Sequence, residues 1–254
     1  MPPAGNRVTD KSCDLLYPDL SGKRVLITGA LEPEGAVLAR AFAEHDCRLV
    51  LQMGLEPSPR SAWAEELRAI APGLRILPGD FRDSDGVDRF ADAALRTHGG
   101  IDIVVNIARL PEALIHARDE RALNARLAEG VRPLWQLSQR AIERMRCDRT
   151  QGAVLNVLAE TKVDGPRGFA LHTLAKTALE AITQAEAKPA FADGIRVYGL
   201  IEARAPGARS WDDLVSTTLQ AANTDVLDTI WSSALFLASE RGSWMNGATL
   251  AVGA

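Results

Sequence analysis

The chain has 254 residues, enough to bury a full core as one α/β domain, and carries Lys+Arg 29 against Asp+Glu 33 for a net charge of −4. A mildly acidic chain without a basic run or stripe offers no footprint for nucleic acid, and no stretch has the apolar length of a membrane span. Cys13, Cys47 and Cys147 are scattered without metal or redox spacing, as expected of reduced thiols in a cytoplasm, and the histidines form no metal-ligand pattern.

Residues 1–18, rich in Pro, Gly and charge and lacking an apolar leader core, read as a flexible N-terminal arm ahead of a single domain over 19–254. Arg24 to Ile27 is apolar, β-branched and stopped by Gly29, so it reads as a short buried strand. From Val37 the apolar positions Val37, Leu38, Ala41 and Phe42 have helical spacing. Arg48 to Leu51 is a second strand, Trp63 to Ile70 a helix and Leu74 to Leu77 a third strand. A helix from near Ser84 to about His98 leads into the strand Ile101 to Val105. The residues Leu134, Leu137, Ala141, Ile142 and Met145 give a helix over Val131 to Met145. Ala153 to Val157, Phe169 to Lys188, Ile195 to Leu200 and about Asp225 to Ser239 continue the alternation, and the last segment ends in a strand at Val252. Strands alternating with helices at this spacing predict a doubly wound, seven-stranded parallel sheet with helices on both faces.

A strand, a Gly-bearing turn and a helix in that order form the first half of a nucleotide-binding unit, in which free N–H groups and the positive end of the helix face a pyrophosphate. The turn at Thr28, Gly29 and Gly35 resembles the Thr-Gly-x-x-x-Gly-x-Gly fingerprint of the short-chain dehydrogenase/reductase family, and the resemblance covers nearly everything from Leu20 to Ala254. It implies a Rossmann-like fold. The middle glycine of the fingerprint is replaced by Pro33, flanked by Glu32 and Glu34. Pro removes a donor and adds a ring, and two carboxylates stand where phosphate charge belongs. Pro at the first helical position with Glu in the first turn also simply starts a helix well. At the end of the second strand, where the fold places an acid for the ribose, stands Met53; Arg60 is a substitute in a loop. The resemblance places Asp80 beside an adenine ring, and capping of the next helix is the other role for it. Asn106 and Ala108 fit the family's Asn-Asn-Ala-Gly, whereas Ile107 and Arg109 do not.

By the same resemblance the reacting groups are Asn, Ser, Tyr and Lys, with Tyr and Lys four residues apart on one helical face so that the Lys charge lowers the phenol pKa. Here Lys176 holds the lysine position and His172 the tyrosine position; thirteen residues earlier Ala159 takes the serine position, and Gly130 takes the asparagine position. After the sixth strand the family's Pro-Gly becomes Glu202 and Ala203, and Ala205 to Thr224 lies where relatives carry a substrate-covering segment. His172 beside Lys176 is either an acid/base near neutral pH or an ordinary packed helix residue.

Three functional expectations follow. The first is a protein of this family that has lost hydride transfer, binds no cofactor, and serves as a subunit pairing with a second copy or an active paralogue through helices 131–146 and 169–188. The second is an NAD(P)-dependent oxidoreductase acting on a carbonyl or alcohol with His172 and Lys176 in place of Tyr and Lys. The third is a cofactor-free isomerase or cyclase in the same pocket. Thr28, Gly29, Gly35, Asp80 and Asn106 are the cofactor positions, occupied in the second case and vestigial in the first and third.

Overall fold

A computed structural model of the protein describes residues 16–54, 61–81, 84–109, 120–159, 165–202 and 225–252. Seven strands form one parallel sheet: β1 Arg24–Ile27, β2 Arg48–Met53, β3 Arg75–Pro78, β4 Ile103–Arg109, β5 Ala153–Ala159, β6 Arg196–Glu202 and β7 Thr249–Val252. Their order is β3-β2-β1-β4-β5-β6-β7, so the chain reverses direction across the sheet between β1 and β4. The helices between them are α1 Pro33–Glu44, α2 Ser61–Ile70, α3 Ser84–Ala94, α4 Glu120–Asp148, α5 Gly165–Phe191 and α6 Asp225–Ala238.

The predicted sheet is the observed one, and its period-two alternation explains both cores. Val25, Ile27, Leu49, Leu51, Val105 and Leu155 point to one face, where Leu38 and Phe42 of α1 and Ile230 and Leu235 of α6 cover them. Leu26, Val50, Val104 and Val154 point to the other, under Val87 and Phe90 of α3 and Leu137, Ile142 and Met145 of α4. Several elements run longer than their apolar stripes suggest. The α4 helix spans 29 residues, starts eleven residues ahead of the predicted Val131 and continues through Pro133. Strand β4 starts two residues later than predicted and runs on to Arg109, in register with β5 from Ile103↔Ala153 to Arg109↔Ala159.

At the N-terminal ends of β1 and β4, Arg24 Nε and Nη2 donate to the two oxygens of Asp102 at 2.8 Å each. Burial pushes the Asp102 carboxyl up, but the hydrogen bonds and charge of Arg24 outweigh it and hold the group below the usual carboxylate range. Most of the expected arm lies outside the described residues; Tyr17 at its end is buried, with Arg241 5.6 Å from its ring centroid. Among the described residues no helix is long and apolar enough to cross a membrane, and no group of His, Cys, Asp and Glu is placed to hold a metal.

Candidate active site

Where neighbouring strands diverge at a reversal of strand order, their carboxyl ends leave a crevice between the outgoing turns. Such a cleft of about 200 Å³ opens between the ends of β1 and β4, walled by Thr28, Gly29, Glu32, Gln52, Phe81, Asn106, Ile107, Ala108, Gly130, Pro133, Leu134 and Leu137.

Its β1 wall is backbone held in one shape. Thr28, 3% exposed, donates its N–H to the carbonyl of Val105 at 3.0 Å, and its Oγ1 accepts from the N–H of Ile107 at 3.2 Å. Gly29 has φ +63°, the left-handed region glycine enters without strain, and its carbonyl accepts from the N–H of Glu32 at 2.9 Å. Glu32 is the N-cap of α1 and Pro33 its first residue, so Pro33 lacks a donor that a first helical turn leaves unbonded anyway. A Cβ on Gly35 would lie 2.8 Å from the Cα of Ala30, so glycine lets α1 sit against the turn. Glu34 is 1% exposed and, like Pro33, lies outside the cleft wall; of the two carboxylates only Glu32 borders it.

The floor is polar and buried. Asn106, 1% exposed, donates Nδ2 to Ser138 Oγ and Asn156 Oδ1, both at 3.2 Å, and Ser138 Oγ donates to Asn156 Oδ1 at 3.0 Å. Asn106 Oδ1 has no partner within the described residues, an unmet acceptor beneath the cleft. Ser138 also touches Glu186 of α5, which is 4% exposed and accepts from Gln139 Nε2 at 2.9 Å. Burial pushes the Glu186 carboxyl up to about 7, against the pull of Gln139 and Ser138. Sequence reading passed over Ser138, Asn156 and Glu186 as site residues; the available signal was a polar residue at each of three buried positions.

Toward β5 and α5 the character changes. Gly130 borders the cleft and an adjoining apolar recess lined by Ala108, Leu134, Leu158, Ala175 and Leu179. Ala159, at the serine position, is the last residue of β5 and fully buried. His172 lies on α5 one turn before Lys176, but its side chain is outside the described set; Lys176 is half-buried next to Ala175 in the recess wall. Pro133, inside α4 and in the cleft wall beside Gly130, has no N–H to give the carbonyl four residues back. Asp80 is half-buried, and its neighbour Phe81 rather than Asp80 walls the cleft. The loops with Arg60, Ala203 and 205–224 lie outside the described residues.

Residues 23–208 match the family model described as short chain dehydrogenase. The chain belongs to the short-chain dehydrogenase family. It is 28% identical over 247 residues to Oxidoreductase UcpA of Escherichia coli strain K12, covering 90% of this chain and 92% of that protein. It is 25% identical over 254 residues to 3beta-hydroxysteroid dehydrogenase 1 of Eggerthella lenta, covering 93% of this chain and 94% of that one. A solved structure titled short chain dehydrogenase/reductase family protein superposes with TM-score 0.71 at 26% identity, over 92% of this chain and 97% of that one. These likenesses correct one expectation drawn from Pro33 and its flanking acids. Dehydrogenase chemistry draws on a redox dinucleotide, and the match to a dehydrogenase family overturns the expectation that no cofactor binds. They are likenesses to oxidoreductases, and they favour the oxidoreductase reading over the non-catalytic and cofactor-free ones.

Proposed function

We propose that this chain is an NAD(P)-dependent oxidoreductase acting on a carbonyl or alcohol substrate. The observation that supports it most is the cleft at the strand-order reversal, walled by Thr28, Gly29 and Asn106 with an unmet acceptor in its floor, in a chain of dehydrogenase family. The dinucleotide supplies or accepts the hydride. Thr28 and Gly29 would hold the turn facing a pyrophosphate, the N-terminus of α1 would offer it a positive dipole, and Gly35 keeps that helix close. Lys176 supplies positive charge at the far end, and His172, one turn away, donates a proton to the substrate oxygen in reduction and accepts it in oxidation.

The test is steady-state reduction of a panel of aldehydes and ketones with NADPH or NADH. Changing His172→Ala is expected to lower kcat about a hundredfold. Undiminished turnover in that variant would remove His172 from the reaction.

We also infer that copies of the chain, or this chain and an active paralogue, assemble through α4 and α5. Trp135 on α4 and Leu174 on α5 are 50% and 49% exposed, large apolar groups on the two helices named from the sequence. Light scattering of a Trp135→Glu variant is expected to show a smaller particle than the unmodified protein; a monomer in both cases contradicts the inference.

A further inference from the structure

We propose that Gln52 is a positioning residue for the adenosine half of the dinucleotide, its carboxamide tying the turn after β1 to the turn after β3. The proposal rests on the dinucleotide reading above. Gln52 is the fifth residue of β2 and follows Leu49, Val50 and Leu51, each fully buried, at a strand position where an apolar residue is the ordinary choice. It is itself only 9% exposed. A carboxamide there is unfavourable unless both of its ends are bonded. Both are: Oε1 accepts from the N–H of Gly29 at 2.9 Å, and Nε2 donates to the carbonyl of Gly79 at 2.9 Å.

The two partners sit on either side of the cleft's β2 wall. Gly29 is the φ +63° residue that turns the chain from β1 toward α1, and Gly79 follows the last residue of β3. The backbone carbonyl of Gln52 also accepts from the N–H of Ala30 at 3.4 Å, so one residue engages two successive donors of the turn. Gly79 makes the reach sterically possible, since a Cβ there would lie 2.8 Å from Gln52 Cγ and 3.1 Å from Phe81. Gln52 and Phe81 both wall the cleft, so the tether fixes the spacing between the β1 turn and the aromatic wall. In this fold the pyrophosphate lies at the N-terminus of the first helix and the ribose next to it reaches the end of the second strand. The tether thus crosses under the adenosine side and stays clear of the reacting end at α5. Glu offers the acceptor without the donor, Leu offers neither, and Asn is one methylene short.

The experiment combines calorimetric titration of the full chain with amide hydrogen exchange. NADPH, NADH, ADP-ribose and reduced nicotinamide mononucleotide are the ligands, and Gln52→Leu and Gln52→Glu are the variants, with circular dichroism confirming that each folds. In Gln52→Leu, the dinucleotides and ADP-ribose are expected to bind about tenfold more weakly, with the mononucleotide within about twofold of the unmodified protein. Exchange at Gly29 to Leu31 is expected to speed up about tenfold or more in Gln52→Leu and to stay near the unmodified rate in Gln52→Glu, which keeps the acceptor. Unchanged exchange together with unchanged ADP-ribose binding overturns the tether. An equal loss for the mononucleotide and the dinucleotides overturns the assignment to the adenosine half. Absence of any NADPH, NADH or ADP-ribose binding by the unmodified protein, with exchange still faster in Gln52→Leu, overturns the dinucleotide reading and with it the ligand role, while the tether itself stands.

Discussion

At the β1–β2–β3 end of the cleft, residue type is dictated by backbone geometry: Gly29 must take a positive φ, Gly35 must have no Cβ, and Gln52 must bond at both ends. At the β5–α5 end, Gly130, Ala159 and Ala175 are small residues at or beside an apolar recess, and Ala159 and Ala175 are buried. The first end is shared with the scaffold, since the turn that faces a ligand also anchors α1 on the sheet. Under the proposed function the second end would carry chemistry on the side chains of His172 and Lys176 rather than on backbone shape.

The comparison breaks most readily at Gly35. Its Cβ position lies 2.8 Å from Ala30 Cα, backbone that cannot swing away, so Gly35→Ala is expected to cost about 3 kcal/mol or more and lower Tm by roughly 6–12 °C. A thermal melt within a degree or two of the unmodified protein would mean that the turn is not tied to the scaffold.

The second effect concerns the buried network under both ends. Glu186 has its carboxyl raised from 4.5 to about 7 by burial. A group raised in the folded state contributes stability that is fully present below its unfolded pKa and is lost as pH rises through about 7, roughly 3 kcal/mol in all. Urea unfolding at about pH 5 and about pH 8.5 is expected to show this loss, and Glu186→Gln, which removes the ionisation, to flatten it. A slope that persists in Glu186→Gln places the titrating group elsewhere.

A smaller change in stability is expected at the other end. The pair Ala159→Ser and His172→Tyr restores the family's hydroxyl and phenol, and is expected to shift stability by no more than about 1 kcal/mol while raising kcat roughly tenfold. A large loss of stability would show that this end too is part of the scaffold. The smallest effect is at Glu32, the one carboxylate bordering the cleft near the α1 N-terminus: Glu32→Gln is expected to tighten NADPH binding about threefold by calorimetry. Unchanged or weaker binding would mean that phosphate does not lie there.

The same asymmetry decides how much was legible in the sequence. Strand β1 reads correctly to the residue because three apolar residues, Val25 to Ile27, run up to Thr28 and the turn glycine Gly29, and the order of elements yields the parallel sheet. The first turns of α4, from Glu120, are missed although Leu123 and Leu127 stand four residues apart, because the apolar pattern anchored on Met145 is followed back only to Val131, next to Pro133. Thr28, Gly29 and Asn106, named from the family resemblance, line one cleft because the strand order sets the ends of β1 and β4 side by side. Pro33 misleads: as a string it interrupts a glycine motif, but as the first residue of α1 it lies outside the cleft wall, and Glu34 next to it is buried. Gln52 is missed because its role depends on Gly79, which lies 27 residues away and on a different turn.

The most direct test of the account is titration of the unmodified chain with NADPH and with NADH in a calorimeter. The account predicts saturable binding of at least one of them, one per chain, with a Kd on the order of micromolar to tens of micromolar. No heat of binding from either dinucleotide up to about millimolar concentration would contradict it.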